Sequence, residues 1–223
     1  MKSFIAAFVV SAALTVSASA ATTSFTDATA FALAAGTLQV ETFAGETARS
    51  LAGTPSLPSQ DFGAFTTTLD SDVGGPFNVV MTSGGVNALG LTNENLQVGL
   101  LGGDTFTIKF KTAVIAFGGM FAGVNNGLTG RLRSELLVGG VLSEWLGRTN
   151  NTNAGLTARF FGIVSSTPFT EVTFRGLPRS EGFGMDDLRW ASAPTPVPLP
   201  ASGLLLMGAM LAAGLFGRRR ARA

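Results

Sequence analysis

The chain has no cysteine, no histidine and no tyrosine among its 223 residues. Each absence removes a class of chemistry. Without cysteine no disulfide closes a loop, so any exported part is held by its core or by a metal. Without histidine there is no Ser-His-Asp triad and no histidine-ligated zinc. Charge is also sparse, at 13% of residues, and the formal balance of +1 misleads. Lys2 and the terminal Arg218, Arg219, Arg220 and Arg222 account for five of the 15 basic residues and none of the 14 acidic ones, which leaves residues 21–200 at −4. A mildly acidic middle has no basic stripe to neutralise phosphates, which argues against nucleic acid as a partner.

What is present divides the chain into five parts. Met1-Lys2 gives a positive start, Phe4 to Val16 is mostly apolar, and Ala18-Ser19-Ala20 is a small-x-small site. That order predicts a secretory signal peptide over 1–20. A β-rich ectodomain is expected over 21–192, a Pro-rich linker over 193–201, a transmembrane helix over 202–217 and an Arg-rich cytoplasmic tail over 218–223. The linker follows from Pro194, Pro196, Pro198 and Pro200, which restrict φ and remove amide donors. Ala201–Gly217 carries no charge. As a helix it reaches roughly 25 Å at ~1.5 Å per residue, the short end for spanning a bilayer. The arginines after it place the tail in the cytoplasm and the ectodomain outside.

In the ectodomain the sequence predicts one short helix over about 26–35, capped by Ser24 or Thr26 with Asp27 in its first turn, and Gly36 after it. "TLQVETF" then alternates as the first core strand, and 44–63 reads as a long loop. Short strands follow, from "AFTTTL" and "FNVVMT" through "DTFTIKF", "AVIAFGGMFAG", "GRLRSELLVGG", "VLSEWLG", "LTARFFGIVS" and "FTEVTFRG" to "GFGMDDLRWAS". Period two is clearest where Phe106, Ile108 and Phe110 oppose Thr107, Lys109 and Lys111, and where Val172 and Phe174 oppose Glu171, Thr173 and Arg175. Gly-Gly pairs at 74–75, 84–85, 102–103 and 139–140 and Asn-Asn-Gly at 125–127 mark turns. The expected fold class is all-β: an antiparallel, jelly-roll-like β-sandwich with one short N-terminal helix, a signal-peptide helix and a C-terminal transmembrane helix.

Several residues are candidates for chemistry. Asp186 and Asp187 are adjacent on the last strand, so they are expected to point to opposite faces. An inward carboxylate needs a cation or donors. Glu41 on the first strand is the natural partner of Asp187, and a structural calcium ion between them, completed by backbone carbonyls, would staple the chain ends together. The alternative is an ion pair of Asp187 with Arg189. Asp70, Asp72 and Gly74 match part of a calcium loop and read better as a polar turn. Glu135 and Glu144, on neighbouring strands, are the carboxylate pair a hydrolase would need; Arg131, Arg133 and Arg148 nearby suit a solvated charged face instead. Trp145 and Trp190 would stack on a sugar ring if exposed, and otherwise belong to core or rim. Asn150-Asn151-Thr152 is a formal glycosylation sequon.

The order of Pro-rich motif, short apolar stretch and terminal arginines resembles the PEP-CTERM sorting proteins of Gram-negative bacteria, in the variant whose motif reads V-P-L-P-A. Here it stands as Val197, Pro198, Leu199, Pro200 and Ala201, with no Pro-Glu-Pro. The stretches "FTDATAFALAAGTLQVETF", "FKTAVIAFGGMF" and "FFGIVSSTPFTEVTFRG" with "GFGMDDLRW" after it resemble ectodomains carried by such proteins. The resemblance implies an exosortase-type processing enzyme as partner. It also implies residence in the inner membrane before processing, and delivery to the cell surface or extracellular matrix afterwards. The ectodomain resemblance implies no settled activity; the leading reading is a non-enzymatic exported protein, with no catalytic residue assigned and the structural calcium ion at Glu41 and Asp187 as the one cofactor considered. A carbohydrate-binding module acting on extracellular polysaccharide, or a secreted carboxylate-dependent hydrolase, are the alternatives.

Overall fold

The computed structural model describes residues 21–47, 58–71, 77–81, 91, 94–124, 134–143, 158–177 and 181–194. All but Pro194 belong to one compact unit, which ends at Ala193. The elements run β1 (Thr22–Phe25), α1 (Ala28–Ala35), β2 (Gln39–Glu41), β3 (Ser59–Asp61), β4 (Phe65–Asp70), β5 (Phe77–Met81), β6 (Asn95–Leu100), β7 (Thr105–Ala122), β8 (Ser134–Val138), β9 (Val141–Ser143), β10 (Arg159–Gly176) and β11 (Glu181–Ser192).

All the pairings are antiparallel, and they connect the strands in the order β5-β6-β11-β7-β10-β8-β9. Two strands of 18 residues dominate this sheet. The sequence suggests four short strands where β7 and β10 each run unbroken. The first part of β7 pairs with β4, Phe65 opposite Phe110, and its second part with β11, Trp190 opposite Phe117. β10 pairs with β1 through Gly162–Ser165 and with β8 through Val172–Gly176. Register shifts between Val164 and Glu171, around Pro168, let β10 bend there. β7 and β10 thus belong to both layers of a sandwich-like fold, in place of two independent sheets.

The core lies between these layers. Phe106, Ile108, Val172 and Phe174 are fully buried, as their alternation predicts, and join Phe65, Phe117, Phe121, Phe183, Leu96 and Met185. Phenylalanine burial of this kind stabilises by about 1.5–3 kcal/mol per side chain and is the means of cohesion left to a chain without cysteine. Phe174 meets Phe183 at 5.2 Å between ring centroids, and Phe117 meets Phe121 at 6.3 Å.

The one helix among the described residues, α1, lies on the outer face. Its cap is Asp27, whose Oδ1 accepts from the Ala30 amide at 2.7 Å, rather than Ser24 or Thr26. Gly36 closes it with φ +79°. Phe31 and Ala35 pack on Phe160, Ala116 and Ala191 in a second apolar cluster.

Three expectations need correction. The expected fold class included a signal-peptide helix and a C-terminal transmembrane helix; no helix among the described residues is long and apolar enough to cross a membrane. At eight residues α1 is about 12 Å long. The fold is all-β and sandwich-like with one short helix, and 1–20 and 202–217 lie outside the described residues. Second, Gln39–Glu41 is no core strand: it pairs with β11 alone and Val40 is exposed. Third, β1, β3 and β6 are strands the sequence reading passes over; β3 falls in the expected loop.

Candidate functional site

The last strand is bulged in its middle. In β11, Asp186 stands opposite Met120 and Arg189 opposite Gly118, so Asp187 and Leu188 share the place of one residue, Gly119. Asp187 takes φ +49° at this bulge. Gly119 accommodates it: a Cβ there would lie 2.8 Å from Leu188 Cδ2 and 3.1 Å from the Asp186 carbonyl oxygen. Bulges re-aim side chains, and a non-glycine residue at positive φ stores strain that its surroundings must hold.

The bulge decides which acid is buried. Leu188 and Trp190 face the core with Phe183 and Met185. Asp186 and Arg189 face outward with Met120, Gly118 and Phe160. Asp186 is nonetheless buried, at 4% exposure, and its Oδ1 accepts from the Asp187 amide at 2.7 Å. Asp187 is half-exposed, and its Oδ2 lies 3.8 Å from Arg189 Nη2. The guanidinium also sits 5.8 Å from the centroid of the Phe160 ring, within the range of a cation–π contact.

β6 continues the same face. Leu96, Val98 and Leu100 enter the core, so Asn95 and Gln97 lie on the opposite side, yet both are fully buried. Gln97 pairs with Gly184 and Leu96 with Met185; one further step along this register sets Asn95 opposite Asp186. Gln97 Nε2 donates to Asn95 Oδ1. Among the described residues, two buried side-chain polar atoms have no hydrogen-bond partner: Gln97 Oε1 and Arg189 Nε. Both lie on this outer face. A buried polar atom left unpaired costs about 1–3 kcal/mol, so two on one face single it out.

The residues expected to carry chemistry are distributed as follows. β2 does run beside the last strand, with Glu41 opposite Leu188, one position from Asp187. Each carboxylate has its own partner: Glu41 Oε1 accepts from the Phe43 amide at 2.7 Å, and Asp187 meets Arg189. No group of three or more acidic or histidine side chains converges among the described residues. Glu135 is bound by Arg175 across the β8–β10 pair. Trp190 is 5% exposed, with ring centroids 5.6 Å from Phe65 and 5.9 Å from Phe110, so it belongs to the core and offers no platform to a sugar. Asp70 ends β4. Asp72, Gly74, Glu144, Trp145, the Asn150-Asn151-Thr152 sequon, the Val197–Ala201 motif and Arg218, Arg219, Arg220 and Arg222 lie outside the described residues.

Asn95 and Gln97 are the site residues the sequence reading misses. The signal is present, since "NLQVGL" alternates polar or small residues with Leu96, Val98 and Leu100. What alternation cannot show is that the polar side is also buried.

Among solved structures, the K2 cleaved adhesin domain of Lys-gingipain is similar to this chain, with 18% identity and a TM-score of 0.47 over 70% of this chain and 99% of that one. No protein-family model matches the chain, and no curated protein matches it either.

Proposed function

We propose that the chain is an exported, non-enzymatic surface or matrix protein of a Gram-negative bacterium, whose β-sandwich binds extracellular polysaccharide through its outer face. The observation that carries the binding role is the Arg189 cluster. A part-exposed guanidinium is held over Phe160 with the Asp187 carboxylate 3.8 Å away. Such a pair offers donors and an acceptor side by side to the hydroxyls of a glycan. The hydrolase alternative is weakened, because Glu135 is engaged by Arg175. Export rests on the signal-like residues 1–20, and the Val197–Ala201 motif is the address that an exosortase-type enzyme would read.

Two measurements test the two halves. Binding of the full chain to the host's own polysaccharide should fall at least tenfold in Arg189→Met and stay unchanged in Lys111→Met; equal binding by both variants removes the assignment to this face. Mass spectrometry of the C-terminus, with cell fractionation, tests the address. A surface-located chain ending near Ala201 agrees with it, and a cell-associated chain still ending in Arg222-Ala223 contradicts it.

A further inference from the structure

We infer that the buried end of the outer face, formed by Asn95, Gln97 and Asp186, is a site for a hard, oxygen-preferring divalent cation such as calcium. It is separate from the Arg189 cluster and from the Glu41–Asp187 pair, and does not depend on the polysaccharide reading. Asn95 and Gln97 are hydrogen-bonded to each other on β6, and the register carries Asp186 of β11 to the same end of the face. Directly opposed residues on one face of an antiparallel pair have Cβ atoms about 4.5–5.5 Å apart, and diagonal ones about 7–8 Å. The β6–β11 register, carried one step past the Leu96–Met185 pair, sets Asn95 opposite Asp186 and Gln97 diagonal to it. Gly184, directly opposite Gln97, puts no side chain into the space between them.

The orientation of Gln97 is the second observation. Its Nε2 is committed to Asn95 Oδ1, and its Oε1 is wholly buried with no hydrogen-bond partner. An amide carbonyl oxygen in that position is an acceptor awaiting a donor or a cation. With a carboxylate and a second amide oxygen beside it, the donor set is all oxygen, which suits calcium and excludes soft metals. Glu41 contributes nothing here: it is opposed to Leu188 and so projects from the other face of the sheet. One carboxylate is a low charge count, and low charge count places calcium affinity near the extracellular range of roughly 10⁻⁴–10⁻³ M.

The experiment is thermal unfolding of the purified full chain in EDTA and in a calcium series to 10 mM, with direct calcium binding by calorimetry. Calcium should raise the midpoint by roughly 5 °C at saturation. Asp186→Asn keeps the shape and the acceptor for the Asp187 amide, and should lose the rise. Gln97→Met should lose it too, while Gln97→Glu, which adds a charge, should tighten binding by about tenfold. An unchanged midpoint in the parent chain, with no heat of binding, overturns the inference. So does a calcium response that survives in Asp186→Asn, since the ion would then sit elsewhere. If Gln97→Met does not fold, the Gln97→Glu and Asp186→Asn pair decides alone.

Discussion

Phe31 lies against Gly162 so closely that a Cβ added there would come within 2.6 Å of Phe31 Cδ2. Helix α1 is seated on β10 through this contact, and the same glycine also faces Gly118, where a Cβ would meet Gly162 Cα at 2.9 Å. Gly162→Ala should therefore destabilise by about 1–3 kcal/mol, the cost of overpacking. Phe31→Ala alone should cost about 3–5 kcal/mol. The double variant should be less destabilised than the two added together, because removing the ring makes room for the methyl. Urea unfolding of the four proteins measures this coupling; strict additivity would mean that the ring and the glycine do not constrain each other.

Trp190 gives a second expectation. Wedged between Phe65 and Phe110, it should behave as a core residue. Trp190→Ala should lower stability by about 3–5 kcal/mol, while any polysaccharide affinity of the remaining folded protein stays within twofold of the parent. A selective loss of affinity at unchanged stability would reverse that assignment.

The Glu135–Arg175 pair is partly exposed on its two strands. Exposed pairs are worth about 0–1 kcal/mol, so Glu135→Gln should change the unfolding free energy by less than about 1 kcal/mol. If a glycosidase activity is ever detected in the chain, this variant should retain it.

Asp61 supplies a pH-dependent case. Hydrogen bonds from Lys111 and from the Gly63 amide hold its carboxyl below the ordinary 3.8. A depressed folded-state value means the pair favours the fold above the ordinary value, and this contribution disappears as pH falls through the depressed one. The group is exposed, so the effect belongs to titration more than to stability. Carboxyl-carbon NMR should find Asp61 titrating below 3.8, and Lys111→Met should move it back up towards that value.

How much of this was legible in the sequence differs by residue. Phe106, Ile108, Val172 and Phe174 announce their burial, because each sits in a strand with one apolar and one polar side. Asp27 as cap instead of Ser24 or Thr26 is a shift of one or two residues, the usual uncertainty of a helix end. The length of β7 and β10 was not legible. Lys111-Thr112 and Pro168 look like breaks, yet β7 runs on through the first and the proline sits at a bend of β10. At the site, Asp186 and Asp187 stand out as a pair, but the assumption of simple alternation selected Asp187 as the inward acid. The bulge at Asp187, a property of two strands and not of one, leaves Asp186 the more buried of the two, on the outer face. The Ser59–Asp61 strand was hidden for a similar reason: its polar residues belong to a strand only because β4 pairs with them.

The pairing of β1 with β10 has a consequence in time. Ala21 and Ser166 exchange hydrogen bonds across 145 residues of sequence, and β2 likewise waits for β11. A chain emerging N-terminus first presents both of its opening strands long before either has a neighbour to receive it. Closure must await nearly the whole length, which makes late, slow assembly a property of the topology itself.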